Sequence, residues 1–177
     1  MLQIFTTQLQ GKLKDVKEHN LDEIEDASRL LAQALISNGK IYIHGTKEMN
    51  GVVPEALYGK EKLSGVMPLI KEENNMNDCT AIDRVLIFAR TSNDKEAIDL
   101  VKELQNDGVT VIAVSNCVEN DSDISLKNLA DIHINTNLTS SLVPDDEGTR
   151  VGYPSLILSL FVYHCLAMTV SEILQEQ

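Results

Sequence analysis

The uninterrupted apolar run VLIFA at 85–89, with VTVIAV at 109–114 as the next buried strand, constrains this chain more than any other feature. A strand with one wet face alternates apolar and polar residues. A parallel strand covered on both faces reads as continuously apolar. Between the two runs, Ala97, Leu100, Val101 and Leu104 recur at helical spacing. Asn106-Asp107-Gly108 then supplies a helix stop. Strand, helix and strand in that order make a crossover unit, and such crossovers are right-handed.

The rest of the chain extends the pattern. Leu2, Phe5, Leu9, Leu13 and Val16 predict an amphipathic helix over 2–18, and Leu21 to Leu35 a second one. Asn38-Gly39 tolerates the positive φ that ends a helix. A β-rich run at 40–44 ends at Gly45, and a short helix is expected over 52–58. VMPLI at 66–70 reads as a short strand kept to a sheet edge by Pro68. DIHIN at 131–135 follows a helical stretch around Leu126 and Leu129. Residues 136–152 show no periodicity and read as a functional loop that could close over a ligand. From Leu156 to Val170 nearly every residue is apolar. That stretch is too short for a membrane span, and a helix apolar all round is buried in a core or an interface. The expected fold is α/β: a three-layer αβα sandwich on a five-stranded parallel sheet, with N-terminal helices. Residues 1–177 read as a single domain, with 1–20 as an oligomerisation helix. Ligands of such sheets bind beyond the carboxyl ends of the strands, where strand order reverses.

Charge narrows the function classes. Of the 177 residues, 15 are basic and 27 acidic, for a net charge of −12. Such a chain has no general electrostatic footprint for nucleic acid or an anionic membrane. A single phosphate stays within reach, because a few backbone amides can hold one whatever the net charge. Cys79, Cys117 and Cys165 are odd in number and widely spaced, so neither a disulfide framework nor a zinc motif is expected. The N-terminus lacks a signal-peptide core, which points to a cytoplasmic chain whose Asn120 and Asn137 sequons carry no meaning. Dinucleotide, P-loop and nucleophile-elbow motifs are absent, and no cofactor or metal is expected.

Two loops carry a signal. His44-Gly45-Thr46 follows the first strand, and Thr91-Ser92-Asn93 follows VLIFA just ahead of a helix. Free N–H groups and a partial positive charge at a helix N-terminus suit an anion. The same residue types also simply cap helices. His44 at a strand end either touches a ligand or caps the strand, and His133 within its strand reads as structural.

With these residues in view, the chain resembles the sugar isomerase (SIS) domains, the flavodoxin-like, Rossmann-like fold of phosphoheptose isomerases. The likeness spans roughly 21–175. VLIFARTSNDKEAIDLVKELQNDGVTVIAVSN is similar to the family's strand, its S-x-S-G-x-T loop, its helix and the next strand. IYIHGTKEMN stands where the family has a G-x-G-x-S loop, and DDEGTRVGYPSLILSLFVYHCLAMTV resembles its closing acidic segment and apolar helix. The family's serines fall on Ala89 and Thr91, its glycine on Ser92 and its threonine on Asp94. A carboxylate thus stands where phosphate would be cradled, and Arg90, Lys95 or Lys47 would have to offset it.

The resemblance implies a phosphosugar as the small-molecule partner. Its phosphate would lie on Thr91, Ser92 and Asn93, and its sugar near Gly45, Thr46, Ser115 and Asn116. Aldose–ketose isomerisation needs a base between adjacent carbons. The resemblance places Glu147 before the last helix and His164 within it, against the readings of Glu147 as solvated loop and His164 as a hydrogen-bonded core or interface residue. Lys47 and Arg150 are the basic residues nearest the candidate loops. Three outcomes remain open: a phosphoheptose-type isomerase, a non-catalytic phosphosugar sensor, or a scaffolding dimer with a decayed site. Family members form dimers or tetramers, so a homodimer or homotetramer is expected, consistent with the surplus of apolar surface on the first and last helices.

Overall fold

A computed structural model describes residues 1–71, 75–118 and 124–176, so the Asn120 sequon lies outside the described residues. Helices α1 (Leu2–His19) and α2 (Leu21–Ile36) lead into β1 (Ile41–Gly45), a 3-10 turn (Lys47–Gly51) and α3 (Val52–Tyr58). Then follow β2 (Val66–Pro68), β3 (Arg84–Thr91), α4 (Lys95–Asn106), β4 (Thr110–Asn116), α5 (Leu126–Leu129) and β5 (Ile132–Asn135). A hairpin of β6 (Val143–Pro144) and β7 (Arg150–Val151) precedes α6 (Ser155–Gln175).

The five-stranded sheet runs in the order β2-β1-β3-β4-β5, and every neighbouring pair is parallel. Successive residues of a strand face opposite sides, and both sides are covered. Ile41, Ile43, Leu86, Phe88, Ile112, Val114 and Ile134 face α2, α3 and α6. Tyr42, Val85, Ile87, Ala89, Val111 and Ala113 face α4 and α5. This is the three-layer αβα sandwich that the continuous apolar runs imply. Pro68 lies in edge strand β2, where a missing N–H costs no ladder bond. Asn38 takes the left-handed turn after α2, at φ 60°.

The last helix is longer than its apolar run suggests. It spans 21 residues and, by length and composition alone, would suffice to cross a membrane. Yet Leu158, Val162, Tyr163, Leu166 and Val170 are fully buried against α2, α3 and the sheet, each such aliphatic side chain contributing about 1.5–3 kcal/mol. Ile157 and Met168 on its other side remain exposed.

Segment 136–152 also differs from its aperiodic reading. Val143 pairs with Val151, and Pro144 with Arg150, in an antiparallel hairpin. The Arg150 guanidinium donates to the carbonyls of Ser141 and Leu142 at 2.7 and 2.9 Å. Lys12 of α1 donates to Asn137 O. Its order comes from such polar bonds, near and distant in sequence, which hydropathy periodicity does not register.

Candidate functional site

Strand order reverses between β1 and β3, because the chain builds β2 on one side of β1 and β3 on the other. In a 2-1-3-4-5 sheet this switch point opens a crevice at the carboxyl ends of those two strands. Gly45 ends β1 there. A Cβ on Gly45 would lie 2.2 Å from Met49 O and 2.5 Å from Asn50 N, so only glycine lets the 3-10 turn fold back this tightly. Thr46 N–H donates to Phe88 O and continues the β1–β3 ladder by one bond. Thr46 is 1 % exposed, and its hydroxyl has no hydrogen-bond partner. Lys47 takes φ 50°, a left-handed conformation that costs a non-glycine residue about 1–3 kcal/mol.

Two ion pairs join the turn to the β3–α4 loop. Lys47 Nζ lies 2.8 Å from Asp94 Oδ2, and Arg90 donates to Glu48. Asp94 is 6 % exposed and caps α4, its Oδ1 accepting from Ala97 N–H at 3.1 Å. Burial pushes the Asp94 carboxyl up, but the bonds from Lys47 and the Ala97 N–H outweigh it, and the group sits below its usual range. The cap therefore falls on Asp94 and not on Thr91, Ser92 or Asn93. The Thr91 hydroxyl donates to Asn93 Oδ1. Ser92 is buried, and its Oγ accepts from Val118 N–H. An anion already occupies the α4 N-terminus, and it is the protein's own carboxylate.

A cavity of about 420 Å³ opens beside this pair. His44, Gly45, Lys47, Asn50, Lys71 and Glu96 are among its lining. Its size is that of small-molecule sites. His44 Nε2 is buried with no hydrogen-bond partner, and Glu96 Oε1 stands 3.9 Å away. Burial holds His44 below its ordinary 6.5, against the opposing pull of Glu96. A histidine whose folded value is depressed binds its proton more readily in the unfolded chain, so acidification below 6.5 erodes stability until the folded group itself protonates. In an NMR titration the His44 ring is expected to inflect below 6.5; an inflection at or above that value would contradict the burial argument.

The remaining candidates are scattered. Ser115 and Asn116 end β4, one strand beyond the switch point. The Ser115 hydroxyl meets His133 Nε2 at 2.8 Å, whereas Asn116 Oδ1 is buried without a partner. Glu147 is exposed in the β6–β7 turn, its N–H donating to Asp145, and it does not line the cavity beside the Lys47–Asp94 pair. His164 is not a core residue. Its side chain is 41 % exposed and lies 3.7 Å from Glu55 of α3. Arg150 spends its donors on its own hairpin. Among the described residues no three His, Cys, Asp or Glu side chains converge as a metal would need.

The Lys47–Asp94 pair was legible in part, since a carboxylate in a phosphate loop demands a cation. Nothing local announced Lys71 or Glu96. Both join the cavity only because β2 and α4 flank the end of β1.

Residues 1–174 match the sequence family described as "Domain of unknown function (DUF2529)". The Bacillus subtilis (strain 168) protein named Uncharacterized protein YwjG is 43 % identical over 176 residues, covering 99 % of each chain. Among solved structures, phosphoheptose isomerase from Neisseria gonorrhoeae superposes with a TM-score of 0.64 at 14 % identity, over 96 % of this chain and 99 % of that one. A phosphoheptose isomerase from Francisella tularensis gives a TM-score of 0.64 at 15 % identity, over 97 % and 98 % of the two chains. At such identities the likeness is one of fold, and the fold is that of the sugar isomerase domains.

Proposed function

The chain belongs to the DUF2529 family, and we propose that it binds a phosphosugar in the cavity at the β1/β3 switch point. One observation carries this reading. In a chain of net charge −12, Lys47, Lys71, His44 and Asn50 share one cavity at the ligand end of the sheet. The phosphate takes Lys47 from Asp94 and gains Lys71. Charge-assisted bonds of this kind are the strong ones. Asn50 and His44 then address sugar hydroxyls. The phosphate seat is thus beside α4 and not on the hydroxyls of Thr91 and Ser92, which serve the loop itself. The sugar isomerase fold supports the ligand class, and the cavity volume supports a ligand of that size.

A second reading, turnover, is favoured by His44 alone. A neutral imidazole with a free buried nitrogen can serve as the base that shuttles a proton between adjacent sugar carbons. Glu147 and His164 take no part in that version.

A thermal-shift screen tests the binding reading. The panel is sedoheptulose 7-phosphate, fructose 6-phosphate, glucosamine 6-phosphate, N-acetylmuramic acid 6-phosphate and inorganic phosphate. A ligand at about a hundred times its Kd adds about 2.7 kcal/mol, or several degrees for a domain of this size. A rise with one phosphosugar well above that with phosphate is expected, and it selects the substrate for an isomerase assay. No rise with any sugar would overturn the reading in favour of a scaffold.

A further inference from the structure

A second cavity, of about 640 Å³, opens where α6 begins and plays no part in the phosphosugar reading. Its lining comes from the 3-10 turn, the end of β3 and residues 153–157. α6 runs for 21 residues from Ser155, and the N–H groups of its first turn have no carbonyl within the helix to bond. Pro154 at the N-cap offers no side-chain acceptor, and no acidic residue stands in the first turn. Ser155, Leu156 and Ile157 line the cavity, so these donors and the positive end of the helix dipole lie at its wall. A bare helix end is common and makes no site by itself. Ser155 supplies the independent observation. It is 9 % exposed, it lines the cavity, and its hydroxyl takes no hydrogen bond among the described residues. A buried hydroxyl left unbonded is costly, and a ligand in the cavity would relieve it.

Arg90 brings the charge. Its Nε donates to Glu48, while its two terminal nitrogens take no hydrogen bond among the described residues. Those nitrogens form the planar fork that matches a carboxylate or a phosphate. Arg90 and Glu48 are the charged side chains of the lining and offset one another, so the helix end tips the cavity toward anions. The remaining lining is apolar: the Tyr153 ring, Pro154, Leu156 and Ile157. The Tyr153 hydroxyl is already spent on Leu138 O, at 2.7 Å. A sugar carries a hydroxyl on nearly every carbon and finds few partners on such a wall. An apolar or aromatic body fits it.

We propose that this cavity binds a small organic anion with an aromatic or branched apolar body, its carboxylate or phosphate monoester head held by Arg90, the Ser155 hydroxyl and the first N–H groups of α6. Glu48 keeps the Arg90 Nε, and the head takes the terminal nitrogens, so no ion pair has to break. The seat is distinct from the N-terminus of α4, which Asp94 fills and Lys47 pairs.

The test titrates the full chain with phenyl phosphate and phenylacetate. Inorganic phosphate, which has the head alone, and benzyl alcohol, which has the body alone, are the controls. Calorimetry reads affinity and amide NMR reads the place. At least one of the two aromatic anions is expected to bind about tenfold or more tighter than either control, and the tighter of the two identifies the head group. The amide signals of Ser155, Leu156 and Ile157 are expected to move. Ser155→Asp puts a carboxylate where the helix dipole favours one. It is expected to keep the melting temperature and to weaken binding about tenfold or more. Arg90→Gln is expected to weaken binding by a similar factor, with circular dichroism reporting the fold. Should Arg90→Gln fail to fold, Ser155→Asp and the wild-type comparison decide. Aromatic anions that bind no tighter than the controls, shifts confined to His44, Lys47 and Lys71, or a folded Ser155→Asp variant with unchanged affinity would overturn the proposal.

Discussion

Gly45→Ala is expected to destabilise the fold by about 3 kcal/mol and to abolish phosphosugar binding. A methyl group there would lie 2.2 Å from Met49 O, 2.3 Å from Met49 C and 2.5 Å from Asn50 N. These are backbone atoms, so no side-chain rotation relieves the clash. Either the 3-10 turn swings away or β1 gives up its last pairing with Phe88. Both routes displace Thr46, Lys47 and Asn50 together, and with them most of the polar lining of the cavity. Met49, fully buried in the core beside Ser159 of α6, would be pulled with the turn. Denaturant unfolding reads the stability loss and calorimetric titration reads the affinity. A variant that melts with the wild type would show that the turn is held less tightly than its contacts indicate.

The fold was almost entirely legible in the sequence, for a physical reason. Parallel strands covered on both faces leave apolar runs, and 85–89 is a continuous one while 109–114 is broken only by Thr110. Helix faces recur at a fixed period, and α2 and α4 follow it. What escaped was structure held by local polar bonds. The β6–β7 hairpin hangs on Arg150, Asp145 and backbone pairing, none of which has a hydropathy signature. For α6, the apolar run marked the helix but not its length, because Ser171, Glu172 and Gln175 continue it past the core.

The site was legible only at its strand ends. Gly45, Thr46 and the β3–α4 loop could be placed, because ligands gather where strand order reverses. Which side chain would fill the α4 N-terminus depended on geometry. Asp94 rather than Thr91 lies at the N-cap, and Lys47 reaches it across 47 positions of chain through a left-handed backbone. Glu147 and His164 were placed by resemblance to a family pattern. The hairpin turn and the α3–α6 contact that hold them follow from packing that no linear motif encodes.

The central claim is that the Asp94 carboxylate and a ligand phosphate compete for Lys47. Asp94→Asn isolates it. Asparagine caps helices as well as aspartate, so the bond from Ala97 N–H persists and α4 loses only the charge term of about 0.3–1 kcal/mol at its dipole. Lys47 loses its ionic partner and is left with a neutral one. Hydrogen bonds to charged groups contribute about 1.5–3 kcal/mol against about 1 for neutral ones. The difference is about one factor of ten in affinity. Calorimetric titration of the wild type and Asp94→Asn, with the phosphosugar that gives the largest thermal shift, makes the comparison. Binding at least about tenfold tighter in Asp94→Asn is the predicted result. Equal or weaker binding would contradict it and would place the phosphate away from Lys47.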